Sequence, residues 1–78
     1  MRLRLSDLAI NQKAVIDELF GLDMANTTRL RDLGFVPGEP VRVIARAAFN
    51  GPLAIRISSS TFSLRQEETN LIWVRTES

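Results

Sequence analysis

The side chains that could carry out chemistry in this chain are carboxylates and hydroxyls that lack a partner base. Its 78 residues include no histidine and no cysteine, which excludes imidazole bases, thiolate nucleophiles and Cys/His zinc sites. The serines at 58–60 and 63 have no histidine to activate them, and Lys13, the only lysine, has no evident activating pocket. No Gly-x-x-x-x-Gly-Lys phosphate loop is present. We therefore predict that the chain is not an enzyme and has no catalytic or cofactor-binding residue.

Oxygen ligands for a metal ion are present but poorly arranged. The adjacent acidic pairs at 17–18 and 67–68 would diverge in a strand. Ferrous sites also usually include imidazole, which is missing here. We predict no specific metal site and expect solvated surface carboxylates at all nine acidic positions: Asp7, Asp17, Glu18, Asp23, Asp32, Glu39, Glu67, Glu68 and Glu77.

Length and composition indicate one small folded module over residues 1–78. The chain is 45% hydrophobic and 24% charged, which is typical of a globular domain that is stabilised by apolar burial. A net charge of +1 is too weak to imply polyanion binding through the overall field. No stretch approaches the roughly 20 apolar residues of a membrane span, and no secretory signal is evident. We therefore expect a cytoplasmic protein.

The spacing of apolar residues predicts the helix and the strands: a period of two indicates a strand, and a spacing of three to four indicates a helix. Ala14 and Ile16 share one face of a first strand over 13–19. A helix is predicted over 24–33, on which Arg29 and Asp32 can pair at a spacing of three. Gly34 is expected to end that helix in a left-handed conformation.

The second half alternates with a period of two. Strands are predicted over 41–48, 53–58, 62–64 and 71–75, with turns at Pro37-Gly38 and at Asn50-Gly51-Pro52. Five short strands with one inserted helix predict a mainly β fold, a small closed sheet without exposed edges.

Three arginines and one tryptophan are candidates for surface contacts. Arg42, Arg46 and Arg56 are predicted to share the outward face of adjacent strands, where they form either a solvated surface or a patch for an acidic partner. Nucleic-acid binding is disfavoured because tyrosine is absent and the basic surface is small. Trp73 either packs under Leu3, Leu5 or the helix, or points outward as an interface anchor.

The ordered motifs resemble the FeoA family over nearly the whole chain. The central signature is Arg29-Leu30-Arg31-Asp32-Leu33-Gly34-Phe35-Val36-Pro37-Gly38 followed by Val41-x-Val43-Ile44. The second half agrees, with Ala47-Ala48-Phe49-Asn50-Gly51-Pro52-Leu53 and then Phe62-x-Leu64-Arg65-x-x-Glu68. The chain departs from the family at two turns: Asn11-Gln12 replaces a proline-glycine turn, and a glycine is missing near Ser59 or Ser60.

The resemblance implies an SH3-like small β-barrel of about five strands with one inserted α-helix and short helical turns. It implies a small cytoplasmic accessory of bacterial ferrous iron uptake that binds the membrane transporter FeoB, with any GTP chemistry belonging to the transporter. The same fold occurs in metal-dependent repressors of the diphtheria toxin repressor type, so a repressor's regulatory domain is the alternative. A small RNA-binding barrel is a second one. Because no helix-turn-helix region precedes the domain, we expect the free-standing accessory.

Position around the central signature suggests where a partner would bind. We expect the end of the helix and the turn after it to set a docking surface, with nearby strand and hairpin residues as further contacts. The predicted partner-binding residues are Arg31, Leu33, Phe35, Pro37, Arg42, Arg46, Phe49 and Trp73. The predicted structural turns and caps are Gly34, Gly38, Gly51 and Pro52.

Overall fold

The computed structural model describes residues 1–76, and Glu77 and Ser78 lie outside the described residues. The strands are β1 (Arg2–Arg4), β2 (Ala14–Leu19), β3 (Pro40–Arg46), β4 (Leu53–Ile57), β5 (Ser60–Leu64) and β6 (Ile72–Thr76). The helices are α1 (Met24–Asp32) and the single turn α2 (Gln66–Thr69), with a 3₁₀ turn at Leu5–Asp7.

The strands form one antiparallel sheet in the order β1-β6-β2-β3-β4-β5. The mainly β fold with one inserted α-helix is confirmed, but there are six strands and not five. Sequence periodicity misses β1 because its three residues are too few to show an alternation. Within residues 1–76, the two edge strands β1 and β5 are not hydrogen-bonded to each other. Closure of the sheet into a barrel therefore stays a prediction.

A single apolar core lies against one face of the sheet. Alternate residues of β4 are buried, Leu53, Ile55 and Ile57, as period-two alternation requires. Ala14 and Ile16 of β2 are both buried, which confirms the prediction that they share one face of the strand. The rest of the core consists of Leu5, Leu8, Leu30, Phe35, Val41, Val43, Leu64, Ile72 and Val74.

Helix α1 begins and ends as its sequence predicts. The Asp23 carboxylate accepts a hydrogen bond from the Asn26 amide at 2.7 Å and so caps the first turn. Gly34 ends the helix at φ +112°, and the amide of Phe35 then donates to the Leu30 carbonyl at 2.9 Å. This reversal places the Phe35 ring in the core directly behind the helix.

Each of the two turns that depart from the family pattern contains one residue in the left-handed backbone region. Asn11 has φ +64°, as expected of a residue type that tolerates this conformation, and its amide donates to the Val43 carbonyl at 2.8 Å. In the serine turn between β4 and β5, Ser58 has φ +53°. Ser58 therefore takes the strained position of that turn.

Candidate functional site

Two arginines face each other on the outer face of the sheet. Arg42 of β3 lies directly opposite Arg56 of β4, and both side chains point away from the core. The Arg56 guanidinium donates to the Thr61 hydroxyl at 3.2 Å. Like charges placed directly opposite in a ladder repel each other, so this pair costs stability. It is therefore the feature of the outer face that most requires a reason.

An open cavity of about 570 Å³ lies beside this arginine pair. We call it the outer groove. Val15 and Pro40, which are neighbours in the ladder between β2 and β3, supply an apolar part of the lining that we call its floor. Four cationic side chains contribute to its walls: Lys13, Arg42, Arg56 and Arg75. The remaining lining residues are Ala14, Val41, Ser58 and Thr76. An apolar floor between cationic walls suits a ligand that carries both apolar and anionic groups.

Two acidic side chains, Asp17 and Glu39, are hydrogen-bonded to residues that line the outer groove. The Asp17 carboxylate binds Arg75 Nε at 2.7 Å and Arg2 Nε at 2.8 Å. The hydrogen bond from Arg75, with the nearby charges of Arg75 and Arg2, lowers the pKa of Asp17 below its ordinary 3.8. The same hydrogen bond and the negative charge of Asp17 raise the pKa of Arg75. Glu39 accepts a hydrogen bond from the Ser58 hydroxyl at 2.8 Å. Within residues 1–76, no carboxylate forms an ion pair with Arg42 or Arg56.

Arg46 does not share the outward face with Arg42, so the prediction of one three-arginine patch is wrong. A register shift between Val43 and Ala45 places Arg46 opposite Leu53, whose side chain faces the core. The Arg46 guanidinium donates to the Leu8 carbonyl. The bulge thus moves this arginine to the other face of the strand, where it closes one end of the core.

Phe49 is fully exposed at the tip of the hairpin between β3 and β4. Phe49 and Asn50 have φ of +59° and +58°, and the Gly51 amide donates to the Ala48 carbonyl at 3.1 Å. These values make a type I′ turn, which demands left-handed backbone at both central positions. Left-handed backbone costs free energy for a phenylalanine. The chain nevertheless carries this exposed ring at that position.

Trp73 of β6 lies on the outer face beneath two arginines. The guanidinium carbon of Arg2 lies 4.7 Å from the ring centroid and that of Arg4 lies 5.4 Å away. Arg4 is also the ladder partner of Trp73. The ring therefore points outward, as the second interpretation has it, and is half-buried beneath Arg2 and Arg4 through cation–π contacts.

The helix end supplies fewer surface residues than the sequence predicts. Arg31 and Pro37 are exposed, and Leu33 is half-buried against the core. Phe35 is fully buried, so it can affect a partner only through the position of the surrounding backbone. The predicted partner-binding residues therefore separate into the helix end, the outer groove, the hairpin tip and the stacked Trp73.

The turn and cap residues take their predicted places. Gly34 and Gly38 have φ of +112° and +90°. Gly51 and Pro52 close the hairpin, where the Ala47 amide donates to the Pro52 carbonyl at 3.0 Å. The left-handed positions of this hairpin are Phe49 and Asn50, however, and not the glycine.

Lys13, Val15 and Arg75 are groove residues that sequence reasoning missed as site residues. Alternation alone could have placed Val15 and Arg75 outward, because Ala14, Ile16 and Val74 face the core. Their convergence with β3 depends on β2 lying between β6 and β3, and this order is not visible in any local pattern.

Within residues 1–76, the structure brings no three acidic side chains together in a way that could hold a metal ion. Among the same residues, no helix has the length and hydropathy needed to cross a membrane.

The chain is similar to known proteins both in sequence and in structure. The FeoA domain family model matches residues 3–76. The solution structure of the FeoA protein from Chlorobium tepidum is 25% identical with a TM-score of 0.88, covering 97% of this chain and 71% of that one. No curated protein sequence matches the chain.

Two further solved structures are also similar to this chain. FeoA of Stenotrophomonas maltophilia, solved with zinc, is 35% identical with a TM-score of 0.80, covering 96% of this chain and 89% of that one. That protein is described as a prokaryotic SH3 domain protein and a candidate activating factor for ferrous iron transport. A manganese-dependent transcriptional repressor is 21% identical with a TM-score of 0.86. The chain covers 42% of that repressor, and the similarity shows a shared fold.

Proposed function

The chain belongs to the FeoA domain family, and on that basis we propose that it is a cytoplasmic accessory of bacterial ferrous iron uptake. It acts by binding the cytoplasmic region of the transporter FeoB. The single observation that carries this proposal is the family match over residues 3–76. The 35% identity to the Stenotrophomonas maltophilia protein, itself described in connection with ferrous iron transport, supports it.

The hairpin tip is the proposed centre of the contact with the transporter. Phe49 is fully exposed, and a large aromatic ring that fills a partner's pocket is typical of an interface anchor. The type I′ turn fixes the backbone that carries the ring, which lowers the entropic cost of association. Arg46 precedes the hairpin at the end of β3, and the exposed Arg31 and Pro37 at the helix end form a proposed second contact.

The accessory is proposed to act without chemistry of its own. The chain has no histidine or cysteine, and its serines lack a base. Regulation of the transporter would therefore follow from differential binding to its conformational states.

Co-purification with the cytoplasmic region of FeoB from the same genome tests the proposal, with and without guanine nucleotide. Phe49→Asn is the informative variant, because asparagine tolerates left-handed backbone and so removes the ring while preserving the turn. Phe20→Asn is the matched control, since Phe20 is exposed to 66% at a different site. We expect Phe49→Asn to weaken association by about tenfold or more, and Phe20→Asn to leave it unchanged.

Two outcomes would contradict the proposal. If the native chain binds FeoB neither with nor without guanine nucleotide, FeoB is not its partner. If Phe49→Asn binds like the native chain, the hairpin tip is not the contact.

A further inference from the structure

We propose that the outer groove binds an extended acidic peptide segment of a partner protein. An apolar side chain of the segment would lie over Val15 and Pro40, and its carboxylates would pair with Arg42 and Arg56. The inference goes beyond the proposed function, because it assigns a ligand class to a site away from the hairpin tip and holds whichever protein carries the segment.

Two pairs of opposed arginines lie on the same face of the sheet. Arg2 lies opposite Arg75 in the ladder between β1 and β6, just as Arg42 lies opposite Arg56. The Arg2–Arg75 pair is neutralised by Asp17, which binds both side chains within 2.8 Å. Within residues 1–76, the Arg42–Arg56 pair has no such carboxylate. A carboxylate supplied by a ligand would play the part that Asp17 plays for the first pair.

Arg42 and Arg56 stand side by side across two strands, so one carboxylate can accept hydrogen bonds from both. The Thr61 hydroxyl at 3.2 Å restrains the Arg56 guanidinium before a ligand arrives. Arg75, on the far wall, is already held by Asp17. Among the three arginines of the walls, recognition of the anionic groups therefore rests on Arg42 and Arg56, and Lys13 is a further cation beside them.

The lining of the outer groove suits a peptide better than a nucleic acid. The floor of the outer groove is apolar, and its lining includes no aromatic ring on which a base could stack. The net charge of +1 supplies little long-range attraction for a polyanion. Acidic peptides with an apolar residue match both the floor and the walls, because alternate side chains of an extended strand face opposite directions.

Fluorescence anisotropy with a labelled peptide tests the inference on the full chain. The probe is a short peptide with a central leucine flanked by glutamates. Its first control has glutamine in place of glutamate, and its second has alanine in place of leucine. We expect only the acidic leucine peptide to bind well, with weaker binding as salt rises from about 50 to 200 mM.

Protein variants localise the binding. We expect Arg42→Gln and Arg56→Gln each to weaken binding by about tenfold, because each removes a charge-assisted hydrogen bond. Arg65→Gln removes the same charge outside the outer groove and should bind like the native chain. Thermal unfolding confirms that each variant is folded.

Three results would overturn the inference: equal binding of the glutamine peptide, unchanged binding by the folded Arg42→Gln and Arg56→Gln variants, or tighter binding of a single-stranded oligonucleotide than of the acidic peptide. Displacement of the peptide by inorganic phosphate at equal concentration would also overturn it, since the site would then recognise a free anion. The assay contains no transporter, so its outcome is distinct from that of the FeoB co-purification.

Discussion

The ring of Phe35 packs against the ring of Phe62, with centroids 6.2 Å apart and planes tilted by 52°. Phe35 follows the cap of α1, and Phe62 lies on the edge strand β5. Tilted aromatic pairs of this kind contribute beyond the area they bury. The contact therefore fastens the segment after the helix to the end of the sheet.

The first prediction follows from that contact. Phe35→Ala should lower the free energy of unfolding by about 3–5 kcal/mol, because it removes a fully buried ring and leaves a cavity. Urea denaturation measures the change. Phe62→Ala is the comparison, and it should cost less because Phe62 is only half-buried. A loss under about 1 kcal/mol for Phe35→Ala would show that the ring is not a core residue.

The second prediction concerns Gly51. A Cβ at this position would lie 2.8 Å from the Ala47 Cβ and 3.1 Å from the Ala48 carbonyl oxygen, so the hairpin would have to shift. Gly51→Ala should therefore destabilise the fold by about 1–3 kcal/mol. In thermal unfolding, Gly38→Ala is the contrasting variant: it has open space but φ +90°, so its cost is backbone strain of about 1 kcal/mol. An unchanged hairpin and Tm for Gly51→Ala would refute the close-approach argument.

The sequence predicts those structural elements that depend on interactions between residues close together in the chain. Alternation identifies the buried face of β4, and the glycine after Leu33 identifies the end of α1, because each depends on neighbouring residues alone. Non-local features are missed. Arg29 binds Glu68 on α2 and not the neighbouring Asp32 that helical spacing suggested. The outer groove depends on strand order in the same way.

The bulge in β3 shows the limit most clearly. Unbroken alternation from Val41 places Arg46 on the same face as Arg42. The register shift between Val43 and Ala45 moves it to the other face, and nothing in the residue types marks that shift. A single extra residue thus decides which arginines can act together.

The third prediction is a pH dependence at Asp17. Its pKa is lowered in the folded state by the hydrogen bond from Arg75, so its contribution to stability is fully present above the unfolded pKa, ordinarily 3.8. The contribution is lost as pH falls through the lower folded pKa. Asp17→Asn should therefore be less stable than the native chain at neutral pH, with the difference shrinking below about pH 4.

Denaturation curves across this pH range check the prediction at Asp17. In an Arg75→Gln background the pH-dependent difference should be reduced, because the main cause of the lowered pKa is gone. A difference that is constant with pH would indicate packing and not ionisation.

The fourth prediction separates stability from binding at Arg42. Arg42→Thr removes one of two opposed cations and introduces a residue that favours strands, so the free energy of unfolding should rise by about 0.2–1 kcal/mol. Adding Arg56→Thr should bring no equal second gain, because the repulsion is already absent and the hydrogen bond to Thr61 is lost. Urea denaturation of the single and double variants measures both effects.

The same Arg42→Thr variant should lose affinity for the acidic peptide while it gains stability. A purely structural arginine, whose stem covers the sheet, would give the opposite sign, since truncation would expose apolar surface and destabilise the fold. A destabilised Arg42→Thr variant would therefore assign Arg42 to packing. A more stable variant that binds the peptide poorly would show that the opposed pair costs stability and serves binding, as is usual where a local rule is broken at a functional site.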